Sequence, residues 1–271
     1  MTEEIFVDHD IHVHTFLSSC SGDSEAVPER MLAAAAVAGV KTVGFADHLW
    51  DAAVPGASNW YRPQDFDHIS QIRAQLPEDS GGVRVLVGCE TEYVGNGRVG
   101  ISPEVAAQLD FVLVPHSHFH MEDFVCPAEV TGSKEIAELL QKRFAEAIEL
   151  EVATGIAHPF LPCVFPERTD EILGQIEDAE FGDLFGRAAE LGVSIEITTG
   201  AFPSLGGGER EGMHDESFLR IYGLALEAGC LFHFASDTHS LEGVGRVCGL
   251  EPFVHQLGLT RENLHPLVRG V

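Results

Sequence analysis

Basic residues are scarce in this sequence of 271 residues: 16 Lys and Arg stand against 43 Asp and Glu, for a formal charge of −27 at pH 7. That balance repels nucleic acid and anionic membranes and attracts divalent cations, so an anionic substrate would need local positive charge from metals or a few placed arginines. Long apolar runs are missing too. No stretch approaches the roughly 20 residues needed to cross a bilayer, and Met1-Thr2-Glu3-Glu4 lacks the basic and apolar regions of a signal peptide. The expectation is a cytoplasmic protein with neither nucleic-acid nor membrane partners. The six cysteines (Cys20, Cys89, Cys126, Cys163, Cys230, Cys248) have no CxxC spacing, and several sit in apolar stretches, which fits a reduced compartment rather than a disulfide framework. No linker, internal repeat or low-complexity tract interrupts the chain. With 45% hydrophobic residues it can bury one sizeable core, so a single domain over residues 1–271 is expected.

Short β-branched or apolar runs alternate with longer amphipathic stretches, the pattern of β/α units over a parallel sheet. It predicts seven strands, near Phe6–Val13, Lys41–Ala46, Val83–Cys89, Phe111–Pro115, Gly155–Ala157, Val193–Thr198 and Leu231–Ala235. Helices are predicted at Pro28–Ala38, Asp67–Leu76, Lys134–Ala153, Phe181–Leu191 and Glu216–Ala228, with Pro28 suited to a first turn and Gly39, Gly192 and Gly229 to C-caps. Asn96-Gly97 reads as a hairpin turn. Pro159–Thr169 and Thr199–Asp215, the second carrying Gly206-Gly207-Gly208, read as long strand-to-helix loops, and loops of that length in a compact domain are more often functional than idle.

Clusters of metal-ligand type fall at or just after the predicted strand ends: His12-Val13-His14, Asp47-His48, Glu90, His116-Ser117-His118, His158 and Asp237-Thr238-His239. The C-terminal strand ends form the active-site face of a β/α barrel. Residues two apart on a strand project to the same side, so HxH and DxH pairs can grip one ion together. Imidazole with carboxylate suits Zn, Mn or Fe rather than calcium. His9, His68, His214, His233, His255 and His265 lack such placement and are assigned no role.

These residues resemble the motifs of the PHP (polymerase and histidinol phosphatase) superfamily of metallophosphoesterases. Asp10-Ile11-His12-Val13-His14-Thr15 looks like its first motif and Phe45-Ala46-Asp47-His48 its second. Gly88-Cys89-Glu90 resembles the G-x-E motif, His116-Ser117-His118-Phe119 the S-x-H-F motif, Ile156-Ala157-His158-Pro159 the G-H-P motif, and Ser236-Asp237-Thr238-His239-Ser240 the closing S-D-x-H. The resemblance implies an α/β fold, a distorted (β/α)7 barrel with a site for two to three divalent metal ions (Zn, Mn or Fe) at the C-terminal strand ends. Carried over residue by residue, it has His12, His14, Glu90 and Asp237 hold one metal. Glu90 bridges to a second held by His118 and His158, and His48 and His239 hold a third. Glu92 is the less favoured alternative to Glu90. His116 is either near the substrate or structural. Where the family has a histidine or acidic residue completing the third site, this chain has Cys20; either Cys20 or Asp23 fills that place, or Cys20 is a packed loop residue.

The implied chemistry is hydrolysis of a small phosphomonoester by a metal-activated hydroxide, with Glu90 bridging and His239, His116 or water as proton donor. Asp10 and Asp47 are expected to orient ligand histidines. Ile195-Glu196-Ile197-Thr198-Thr199-Gly200 resembles a strand of histidinol-phosphatase-like members, but Ala201-Phe202 follow where some of those members carry a phosphate-binding arginine. Arg62, Arg98, Arg168 and Arg210 lie in loops able to approach the mouth, and Phe160, Leu161, Phe165 and Phe202 are candidates for an apolar wall there. Two rival readings remain: a non-catalytic scaffold or regulatory module of the same fold, and an amidohydrolase-type barrel, against which stands the lack of a lysine at a middle strand end.

Overall fold

The computed structural model describes residues 7–122, 124–207 and 210–270. Met1-Thr2-Glu3-Glu4, Phe6 and Gly208 lie outside the described residues. In chain order the regular elements are β1 (His9–Val13), α1 (Pro28–Ala38), β2 (Thr42–Phe45), α2 (Phe66–Ile69), β3 (Arg84–Val87), β4 (Cys89–Glu90), α3 (Pro103–Ala106), β5 (Val112–Pro115), α4 (Ser133–Ala147), β6 (Gly155–Ala157), α5 (Thr169–Leu173), α6 (Asp178–Leu191), β7 (Ser194–Thr198), α7 (Asp215–Glu227), β8 (Phe232–Ala235) and α8 (Glu251–Leu257). Among the described residues the named strands pair in parallel, in two sheets ordered β1-β2-β3 and β4-β5-β6-β7-β8.

The third expected strand is divided because it changes neighbours at Gly88. β3 pairs with β2 up to Val87 opposite Phe45, and β4 pairs with β5 from Cys89 opposite Val112. A Cβ at Gly88 would stand 2.5 Å from the Phe111 carbonyl oxygen, so only glycine lets the two segments approach here. The outer strands are tied as well. Beyond β8, the Asp237 N–H donates to the His12 carbonyl and the His14 N–H to the Thr238 carbonyl, each at 2.9 Å.

β1, β2, β5, β6, β7 and β8 are buried along their whole length, as expected for parallel strands covered on both faces. The long helices supply the cover through residues three and four apart: Ile136, Leu140, Phe144 and Ala147 from α4, Phe181, Phe185 and Ala188 from α6, Phe218, Ile221, Tyr222 and Ala225 from α7. Each fully buried aromatic or aliphatic side chain contributes about 1.5–3 kcal/mol. Gly39 and Gly192 take the left-handed C-cap conformation expected of them, and Gly229 has positive φ one residue beyond the Ala228 cap. Asn96 and Gly97 both have positive φ, and Tyr93 bridges Val99 in antiparallel fashion, which makes the expected hairpin.

Three details depart from expectation. The stretch over 67–76 is one α-turn continued as a 3-10 helix, Ser70–Gln75. The two long loops contain 3-10 turns at Pro166–Arg168, Thr199–Ala201 and Pro203–Gly206. The short helices α3, α5 and α8 carry too few turns to leave a periodic signal. Among the described residues, no helix is long and apolar enough to cross a membrane.

Candidate metal centre

The strand ends deliver the expected side chains to one place. His12 lies within β1 and His14 one residue past it, Glu90 ends β4, His158 follows β6 directly, and His48, His118, Asp237 and His239 stand within a few residues of the ends of β2, β5 and β8. His12 and His14, two apart, turn the same way, and their Nε2 atoms are 3.1 Å apart. Glu90 Oε2 is 3.3 Å from His12 Nε2 and 3.5 Å from His14 Nε2, and Asp237 Oδ1 is 3.5 and 3.3 Å from the same two nitrogens. The other Glu90 oxygen, Oε1, is 3.3 Å from His118 Nε2 and 3.1 Å from His158 Nε2, which are themselves 3.1 Å apart. Around an ion with bonds of about 2.0–2.2 Å, neighbouring tetrahedral donors sit roughly 3.3–3.5 Å apart. These donors are therefore spaced as ligands sharing ions, with Glu90 offering one oxygen to each of two groups.

The far sides of the same rings are pinned by oxygens. His12 Nδ1 is 2.8 Å from Glu196 Oε2, His118 Nδ1 2.8 Å from Glu92 Oε2, His14 Nδ1 3.0 Å from Ser18 Oγ and His158 Nδ1 3.1 Å from Ser117 Oγ. An oxygen accepting from Nδ1–H fixes the tautomer that leaves the Nε2 lone pair free, the usual arrangement of metal-binding histidines. Asp47 takes the expected orienting role at one remove, accepting from Ser18 Oγ at 2.7 Å and from Thr15 N–H and Oγ1. Asp10 does not touch an imidazole. It accepts from the backbone N–H groups of Ser236 and His12 and so ties β1 to the chain beyond β8. Glu92, the alternative to Glu90, is engaged with His118 and the Tyr61 hydroxyl.

A third group of donors, His14, Cys20, His48 and His239, lies within 4.8 Å of one another. Among the described residues the buried His48 Nδ1 has no hydrogen-bond partner, and it lies 3.2 Å from Glu90 Oε2. Asp23 is elsewhere: its oxygens cap the N–H groups of Glu25 and Leu241.

Electrostatics points the same way. Burial works against ionising Glu90, yet the imidazoles of His12, His48 and His118 outweigh it and hold the carboxyl well below the usual range. Burial likewise opposes charge on His12 and His118, but Glu196, Asp237 and Glu90 around the first, and Glu92 and Glu90 around the second, push both well above the ordinary imidazole value. The centre thus demands positive charge, and without a cation protons supply it. Burial, followed by Glu90 and Asp237, pushes the Cys20 thiol up to about 12, so a thiolate there requires a cation beside it. Donor spacing, ring pinning and charge all fit divalent ions.

A cavity of 180 Å³ opens onto the cluster, its remaining wall made by Trp60, Tyr61, His120, Met121 and Cys163. Several sequence candidates are not brought here. His116 is fully buried, with Nδ1 3.1 Å from the Leu140 carbonyl and Nε2 accepting from the Phe160 N–H at 2.9 Å. Burial drives its pKa down to about 3, so it neither faces the cavity nor carries a proton to it. Phe160 and Phe202 are core residues, the first packed among His116, Phe144 and Phe181, the second stacked on Phe253 at 3.9 Å. None of Phe160, Leu161, Phe165, Phe202, Arg62, Arg98, Arg168 and Arg210 lines the cavity, and Arg168 is committed to the Thr131 carbonyl and Ser133 hydroxyl. Glu196 was missed as an orienting residue; its signal was a carboxylate inside an otherwise apolar strand. His158 and Asp237 both take positive φ, 28° and 53°, a conformation L-residues seldom adopt.

A parallel α/β fold with a histidine and carboxylate cluster at its strand ends defines a candidate metal-binding protein. The chain belongs to the PHP domain family, whose model matches residues 10–199. It is 28% identical over 142 residues to a "Probable phosphatase" of Syntrophotalea carbinolica, covering 52% of this chain and 53% of the relative, so the match spans about half the length of that curated protein. Among solved structures it resembles histidinol phosphate phosphatase (HISK) from Lactococcus lactis, complexed with zinc, L-histidinol and phosphate, at TM-score 0.58 and 15% identity, covering 93% of this chain and 94% of that one. It also resembles the histidinol-phosphatase candidate hisK from Listeria monocytogenes, at TM-score 0.61 and 14% identity, covering 88% and 97%. At these identities the structural likeness concerns the fold.

Proposed function

We propose that the protein is a metal-dependent phosphoesterase of the PHP type that hydrolyses a small phosphomonoester, and that its two sheets are the arcs of a distorted (β/α)7 barrel forming one domain. The observation that carries this reading is Glu90, whose two oxygens each stand within 3.5 Å of a separate pair of imidazole nitrogens. His12, His14, Glu90 and Asp237 would hold one ion, Glu90, His118 and His158 a second, and Cys20, His48 and His239 a third. Divalent ions in those positions supply two things: they lower the pKa of water toward neutrality and offset the charge on phosphoryl oxygens.

The chain's own residues do the rest. Glu196, Glu92, Ser18 and Ser117 hold the rings in the required tautomer. If the third site stays empty, His239, partly exposed at the cavity, is the protein group placed to meet the leaving-group oxygen, since His116 is sealed behind Phe160. The cavity lining contains no Lys or Arg, so the phosphoryl group relies on the metals, and the leaving group meets Trp60, Tyr61 and Met121. A neutral or cationic leaving group fits this wall, whereas a second anionic group would find no Lys or Arg among the described lining residues to pair with. The gathered donors and braced rings support metal binding, and the cavity that opens onto them supports catalysis over a non-catalytic metal-binding scaffold.

The test is metal analysis of the purified protein with a panel of aryl, sugar and histidinol phosphates under Zn, Mn and Fe separately. We expect at least two ions per chain and turnover of monoesters without exclusive preference for histidinol phosphate, because Phe202 stands in the core where an arginine would be needed. Exclusive use of histidinol phosphate would refute the substrate argument, and inactivity on every ester with metals bound would favour the scaffold.

A further inference from the structure

At the other end of the strands, the chain gathers a quarter of its 16 cations around a single cavity of 560 Å³: Lys41, Arg84, Arg261 and Arg269, with Asp8 as the one carboxylate in its lining. Lys41 and Arg84 stand at the entries of β2 and β3, and Asp8 just before β1. The metal-ligand candidates stand at the exits of the same strands. A five-residue strand spans about 15 Å, too far for an occupant of this cavity to react at the metal centre.

The three arginines are held by hydrogen bonds yet keep free donors. Asp8 Oδ2 lies 3.0 Å from Arg261 Nη2 and 3.6 Å from Lys41 Nζ. Arg84 Nη1 donates to the Leu267 carbonyl at 2.7 Å, and Arg269 donates from Nε to Leu264 at 3.1 Å and from Nη2 to Glu262 at 2.8 Å. Among the described residues, Arg84 Nη2, Arg261 Nη1 and Arg269 Nη1 have no acceptor. The lining therefore carries an excess of three positive charges in a protein whose formal charge is −27. Like charges at this spacing repel unless a counter-ion sits between them, and braced guanidinium forks match the geometry of phosphate oxygens.

We infer that this cavity binds a small phosphate-bearing anion, at a site separate from the metal centre. Its affinity falls as salt is added, because screening weakens partly exposed charges first. The test is calorimetric titration of metal-loaded protein with inorganic phosphate in the wild type, Lys41→Gln and Arg84→Gln. Lys41 is mostly exposed and its ion pair with Asp8 is long at 3.6 Å, so the first variant leaves the fold intact. Two binding events are expected in the wild type, one of them about tenfold weaker in each variant, the size of one lost charge-assisted hydrogen bond. Crystals soaked in tungstate should show anomalous density between the four cations. Identical isotherms in the wild type and both folded variants would overturn the inference, as would tungstate found at the metal centre alone.

Discussion

Replacing Glu196 by glutamine would test the idea that carboxylates behind the rings, and not only the ligands, create the metal centre. Glu196 uses both oxygens: Oε2 lies 2.8 Å from His12 Nδ1 and 3.3 Å from His233 Nε2, and Oε1 accepts the His158 N–H at 2.9 Å. Glutamine fits the same volume but has one acceptor. If its oxygen stays with His12, its NH2 group confronts the His158 N–H. If it flips, NH2 faces His12 Nδ1 and forces the proton onto Nε2, the atom aimed at Glu90 and Asp237. Either outcome impairs one ligand without removing any. Loss of such an outer partner lowers metal affinity by about 10- to 100-fold, or roughly 1.4–2.7 kcal/mol. Glu92→Gln should do the same through His118 Nδ1, 2.8 Å from Glu92, but at the other ion. Stepwise zinc titration against a chromophoric chelator separates the outcomes: Glu92→Gln should weaken the step of the His118 and His158 group alone, and Glu196→Gln should weaken the His12 step if its amide flips and the His158 step if it does not. Wild-type affinities in both, with native circular dichroism, would refute the reasoning.

Glu90→Gln should cost both metal and activity far more than Cys20→Ser, since the first removes a charge shared by two groups and the second touches only the third; elemental analysis beside turnover on an aryl phosphate checks the order. In the metal-free protein His12 and His118 have raised pKa values, so their stabilisation is complete below the unfolded value of 6.5 and is lost as pH rises through the folded values. Burial holds His9, His48 and His116 below the ordinary imidazole value, which opposes this trend near pH 6.5. Above that range, melting of chelator-treated protein should shift downward from about pH 7.5 to pH 9 while the zinc-loaded form does not follow; parallel curves would contradict it. Gly88→Ala should destabilise by about 1–3 kcal/mol, from overpacking against Phe111, and loosen Glu90 two residues on. Denaturant titration measures the first effect and metal affinity the second.

The ligands were legible because strand periodicity and the order of the motifs are local properties of the chain. His12 with His14, and Glu90 after Gly88, needed no tertiary information. The braces were not legible in the same way. Glu196 and His12 are 184 positions apart, and nothing near Glu196 says which ring it will meet. His116 misled for the converse reason: it belongs to the same motif as His118, but β5 ends at Pro115, so strand alternation no longer holds, and Ser117 and His118 turn toward His158 while His116 packs against Leu140 and Phe144 of α4. Phe160 and Phe202 were read as a wall because they fall in loops, yet large aromatics flanked by helix faces with space for them go into the core. Gly88 marked the register of Glu90 correctly, but the change of neighbours it permits depends on Phe111, which the sequence keeps 23 residues away.

His158 and Asp237 hold their backbones in a region that costs an L-residue on the order of 1–3 kcal/mol each. Glycine would occupy the same φ without that cost and would carry no ligand. At these two positions, then, folding alone favours a residue that the chemistry forbids. If the proposed metal centre is right, a chain optimised for stability alone would favour glycine at both positions and so give up two of its candidate ligands.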